Sequence, residues 1–95
     1  MDFDRLPGGD LIARGVEDLA AGKESMEALL VAVGAPRLRD LGLSVPTIAD
    51  AEHRLYASLA REDSDSAHGR YNALLRRLVS FERAAECASR QASRQ

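Results

Sequence analysis

Ninety-five residues, 45% apolar and 29% charged, suffice for one domain with a single modest core and exclude wholesale disorder. A net charge of −2 gives no global attraction to nucleic acid or to an anionic membrane surface. Two Phe, two Tyr and no Trp stand in an Ala- and Leu-rich chain; close helix packing is favoured over a sheet. The expected fold is all-α, a compact four-helix bundle-like domain over residues 1–95.

Residues 1–9 read as a loop closed by Pro7-Gly8-Gly9. Asp10 is a suitable N-cap for a first helix over 11–21, and Gly22 suits the left-handed position that follows a helix end. Ile12, Val16, Leu19 and Ala20 fall on its inner side. Ser25 can cap a second helix over 25–33, in which apolar residues occupy every side after Glu27, the pattern of a buried central helix. Gly34 ends it. Pro36 opens a short helical turn over 36–41, stopped by Gly42, and Leu43–Pro46 reads as an extended connector. Thr47 with Asp50 suggests a capping-box start for a third long helix over 47–61, with Ile48, Ala51, Leu55 and Leu59 as its buried stripe. Glu62–Ser66 is a solvated turn.

The longest element expected is a helix over 67–90. Tyr71, Leu74, Leu75, Leu78, Phe81 and Ala85 share one arc of its wheel. Arg76, Arg83, Arg90 and Arg94 gather on another, with Asn72 beside them. Glu82 falls inside the apolar arc, and a buried carboxylate needs a partner, either a hydroxyl or an Arg from another helix or a second chain. The end, residues 89–95, repeats Ser-Arg-Gln and is expected to fray. Leu74, Leu75 and Leu78 should meet Leu29, Leu30 and Val33, with Ile48, Leu55 and Leu59 closing the core.

Charge is unevenly spread. Residues 1–66 carry seven basic and thirteen acidic side chains, whereas residues 67–95 carry six Arg against Glu82 and Glu86. Such asymmetry marks either a binding surface or two parts of one molecule that attract each other. The lone Cys87 lies opposite the apolar arc, without a neighbouring His to activate it. The opening stretch MDFDRLPGGD has neither the basic start nor the apolar run of a secretory signal, and a cytoplasmic location is expected.

The stretch Gly42-Leu43-Ser44-Val45-Pro46-Thr47-Ile48, followed by Leu55, resembles the turn and second helix of helix-turn-helix repressors. That resemblance implies DNA reading by residues 42–55, although Asp50 and Glu52 would then face phosphates and Leu38 stands where a small residue is usual. Arg61 and His68, six residues apart, resemble the Arg and His pair of small helical ribonucleases of the HEPN type. There the His acts as general base and the Arg stabilises phosphate charge. Asp50 with His53 and Asp65 with His68 have the i, i+3 spacing of a carboxylate–His metal pair, but the further inward carboxylates of a metal bundle are missing. No catalytic residue, metal ligand or cofactor is assigned.

The expected function is a non-enzymatic protein–protein interaction or adaptor module, homodimeric or bound to another protein, with Asn72, Arg76, Arg83 and Arg90 as its interaction surface. Nucleic-acid binding, by residues 42–55 or by the basic face of the last helix, is the first alternative. Ribonuclease action by Arg61 and His68 is the second. No membrane or small-molecule substrate is indicated.

Overall fold

A computed structural model describes residues 3–93. The chain is all-α, with five helices among these residues: α1 (Gly9–Ala20), α2 (Met26–Val33), α3 (Ala35–Asp40), α4 (Ala51–Glu62) and α5 (Ala67–Ser93). A single 3-10 turn, Phe3–Arg5, precedes them within the expected loop. Arg94 and Gln95, at the end expected to fray, lie outside the described residues, as do Met1 and Asp2.

The hub is α2. Its Ala28, Leu29, Leu30, Val31 and Ala32 are all buried, and α1, α3, α4 and α5 each pack against it. The Ser25 hydroxyl accepts from the Ala28 N–H at 3.1 Å and donates to Asp18 at 2.6 Å, capping α2 and tying it to α1. Two left-handed glycines end helices as the sequence suggests. After α1, Gly22 (φ 76°) donates to Leu19 and Lys23 donates to Asp18; after α3, Gly42 (φ 99°) donates to Arg39 and Leu43 donates to Leu38. Both are six-to-one, five-to-two closures that satisfy otherwise orphaned carbonyls.

Gly15 sets the α1–α2 spacing. A Cβ there would run into the Glu27 carbonyl oxygen and Val31 Cγ2, and would stand 2.9 Å from the Glu27 carbonyl carbon. Only a hydrogen at that position lets the two backbones approach so closely. The buried line of α1 is therefore Gly9, Ile12 and Gly15, with Val16 and Leu19 half-buried at its edge and Ala20 exposed.

The core joins Ile12, Leu29, Leu30, Val31, Leu38, Leu55, Leu59, Leu74, Leu78 and Phe81. Val33 and Leu75 pack on its edge. Phe81 is fully buried and meets Phe3 edge to face, with ring centroids 5.6 Å apart. Tyr56 and Tyr71 make a second edge-to-face pair, 5.5 Å apart, between α4 and α5. At about 1.5 Å per residue the 27 residues of α5 run about 40 Å, and this helix accounts for most of the 48 Å long axis of the molecule.

Three local expectations need correction. Asp10 does not cap α1: Gly8, in the left-handed conformation (φ 74°), begins the helix two residues earlier, and Asp10 lies in the first turn. There its carboxylate faces Arg77 of α5 at 3.8 Å and favours the positive end of the helix dipole. Thr47 does not begin α4; the helix starts at Ala51, after Asp50 turns into the left-handed region at φ 58°, ψ 32°. A short polar side chain tolerates that conformation better than most. Ile48, left in the connector, is only half-buried, and Val45 takes the core place expected of it.

Candidate interaction face

The outer side of α5 presents Asn72, Leu75, Arg76, Val79, Ser80 and Arg83 around one shallow depression. Arg76, Arg83 and Arg90 are exposed, while Asn72 is half-buried and bonded to the His68 ring nitrogen at 3.2 Å. Residues seven apart on a helix return to nearly the same angle and rise about 10.5 Å, so the three arginines form a straight row. Val79 sits between the first two. At 37% exposure it is one of two large hydrophobic residues left in the open among the described residues, the other being Tyr56 at 38%.

The internal ion pairs involve other cations. Arg37 meets Glu86 at 2.5 Å, Arg54 meets Glu24 at 2.9 Å, Arg70 meets Glu62 at 3.0 Å and Arg77 faces Asp10 at 3.8 Å. The acidic first part of the chain is thus engaged by Arg70 and Arg77, which lie off the row. Arg76, Arg83 and Arg90 have no carboxylate within ion-pair distance among the described residues. The row meets solvent with its charge uncompensated.

Glu82 is buried at 5% exposure. Its carboxylate lies 4.0 Å from Arg37 Nη1 of α3 and beside Gly34, where an added Cβ would stand 3.1 Å from Glu82 Oε2. Burial pushes the carboxyl above the ordinary carboxylate range; Arg37 pulls it back and Glu86 pushes it further up. Folding therefore shifts Glu82 toward its protonated form relative to the unfolded chain. Its contribution is fully present below the unfolded-state value of about 4.3 and is lost as pH rises through the raised folded value. Glu82→Gln keeps the shape without the charge. In thermal melts the variant should be the more stable protein near neutral pH, by up to about 1 kcal/mol or about 4–8 °C, and the gain should vanish near pH 4. A lower Tm at neutral pH would mean that the Arg37 pairing outweighs the cost of burial.

The remaining sequence candidates are dispersed. Arg61 lines a groove with Glu24, Leu29, His53, Arg54, Ala57 and Ser58, and His68 is not among its walls. Both Arg61 and His68 are exposed, and His68 bonds Asn72 instead. The ten residues between α3 and α4 replace the three- or four-residue turn of a helix-turn-helix unit, so residues 42–55 do not assemble as one. Thr47 and His53 are exposed, with Asp50 and Glu52 around the same hollow. Among the described residues no three His, Cys, Asp or Glu side chains are grouped to hold a metal ion. Cys87 is a free, exposed thiol. No helix among the described residues is long and apolar enough to cross a membrane.

Sequence reasoning picked out the arginines but not Val79 or Ser80. On the wheel Val79 falls about 20° from Asn72, which was enough to place an apolar group in the row. Comparison with protein-family models, with curated proteins and with solved structures found no match to this chain.

Proposed function

We propose that the chain is a non-enzymatic interaction module that docks an acidic protein partner on the outer face of α5. The observation that carries this reading is the alignment of three unpaired cations. Arg37, Arg54, Arg70 and Arg77 each face a carboxylate within the chain. Among the described residues Arg14, Lys23, Arg39, Arg61, Arg76, Arg83 and Arg90 do not, and of these Arg76, Arg83 and Arg90 stand in one row on a single helix. A row of uncompensated charge steers an oppositely charged partner and fixes its register. Val79 and the half-buried Leu75 lie along it and supply apolar area that water would otherwise cover.

Nucleic acid fits the same face less well. The row has no aromatic side chain on which a base could stack, and Val79 interrupts it. The net charge of −2 opposes non-specific phosphate binding.

The reading is tested by fluorescence anisotropy with a labelled Glu- and Leu-containing peptide, duplex DNA and single-stranded RNA, at about 50 and 200 mM salt. The acidic peptide is expected to bind with micromolar affinity that weakens with salt. The Arg76→Glu/Arg83→Glu variant should lose at least about tenfold of it. Tighter binding of either nucleic acid, or indifference to the double substitution, would contradict the reading.

A further inference from the structure

Resting on that reading, we infer that the occupant of the α5 face is an acidic amphipathic helix of another protein, with carboxylates seven residues apart and an apolar residue between them, and not a second copy of this chain. Three features carry this.

The face itself is helical, so its period is fixed. Arg76 and Arg83 lie one seven-residue repeat, about 10.5 Å, apart, with Val79 between them and Leu75 at the edge. A partner helix lying alongside repeats at the same rise, so Glu or Asp at positions seven apart meets both guanidiniums at once. An apolar side chain three or four residues after the first acid then falls over Val79 and Leu75. This is the helix-against-groove mode of recognition, read as anchors at i, i+3 or i+4, and i+7. An extended acidic segment, advancing about 3.3 Å per residue, meets the two arginines at a different spacing and turns alternate side chains away.

A self-contact centred on Arg76 and Arg83 fails on charge. In an antiparallel two-fold contact centred between Val79 and Ser80, Arg76 of one copy lies opposite Arg83 of the other, and the reverse. In a parallel contact each arginine meets its own counterpart. A two-fold interface must be self-complementary, and no carboxylate in the row answers these charges: Glu86, at its flank, is already engaged by Arg37. Like charges set face to face select against a partner.

Other parts of the molecule carry less. The hollow lined by Glu24, His53, Arg54, Ser58 and Arg61 has an internally neutralised Arg54, and the depression beside Pro7 and Gly8 leads back to Arg76 and Ser80 of the same face.

The test compares two labelled helical peptides of identical composition, binding to the intact protein. One carries Glu at positions seven apart with Leu between; in the other the same residues are permuted so that Glu falls all round the helix. The first is expected to bind at least about tenfold more tightly, and Val79→Asp should remove most of that advantage. Equal affinities would overturn the helical register while leaving the acidic-partner reading in place. Binding of neither peptide would overturn both. Sedimentation of the protein alone tests the excluded copy: an Arg76→Glu/Arg83→Glu variant that loses a wild-type dimer would overturn the inference.

Discussion

Gly15→Ala is expected to lower the stability of the domain by about 2 kcal/mol, even though alanine is the better helix former. In an exposed helix the change gains roughly 0.5–1 kcal/mol, because glycine loses more backbone freedom on folding. At this position the added methyl meets the backbone carbonyl of Glu27 and the side chain of Val31, both on the hub helix. A backbone group cannot rotate aside, so α1 must move off α2 along its whole length. Overpacking of this kind costs about 1–3 kcal/mol, and rigid backbone on the far side places it at the upper end. The melting temperature should fall by roughly 8–16 °C. Gly69→Ala is the internal control. Nothing lies within 4 Å of a Cβ built at Gly69 on α5, and that variant should melt slightly above the wild type. A rise in Tm for both variants would mean that α1 and α2 do not approach as closely as described.

Phe81→Ala should be costlier still. The ring is fully buried, contacts Phe3 edge to face and lies beneath Gly8, whose own Cβ, if present, would be 3.7 Å from Phe81 Cβ. Removing a buried phenyl group costs about 3–5 kcal/mol, partly as lost transfer free energy and partly as the cavity left behind. A domain of this size has a total of about 5–15 kcal/mol, so the variant should lose from about a fifth to all of its stability in urea unfolding. Phe3→Ala should cost less, because Phe3 is only half-buried. The two should couple by about 0.5–1.5 kcal/mol in a double-mutant cycle. A loss below about 1 kcal/mol for Phe81→Ala would show that the middle of α5 is not closed by the residues before α1.

Much of the fold was legible because its signals are local. Ser25 before an apolar run, Gly22 and Gly42 after helices, and the arc from Leu74 to Ala85 state their roles through side-chain chemistry and spacing alone. The errors arise where two elements meet. Asp10 and Thr47 are good caps by type, yet Gly8 precedes α1 and Asp50 precedes α4, both in a left-handed conformation that residue type at the expected caps does not signal. Gly15 was silent as well: a glycine inside a helix carries a local cost, and only the nearby Glu27 carbonyl explains it. Ile48 and Val45 exchanged places once the connector proved longer than the cap suggested.

The α5 face was half legible. Seven-residue spacing collects Arg76, Arg83 and Arg90 on one side of any helix, with or without neighbours. Which acids answer the other arginines depends on tertiary approach: Asp10 reaches Arg77 only because the start of α1, at Gly8, meets α5, and Glu62 reaches Arg70 across the turn between α4 and α5. Glu82 likewise stands out on the wheel, but its neighbour Arg37 lies 45 positions away in the chain, on α3.

The central claim is that Arg76 and Arg83 read carboxylates on a partner helix, and charge exchange tests it most directly. Binding of the Arg76→Glu/Arg83→Glu protein is measured by anisotropy against two helical peptides, one with Glu and one with Lys at positions seven apart. The account predicts that the double substitution abolishes binding of the Glu peptide and creates binding of the Lys peptide, with affinity within about tenfold of the original pair. Continued binding of the Glu peptide by the reversed protein, or no gain for the Lys peptide, would contradict it.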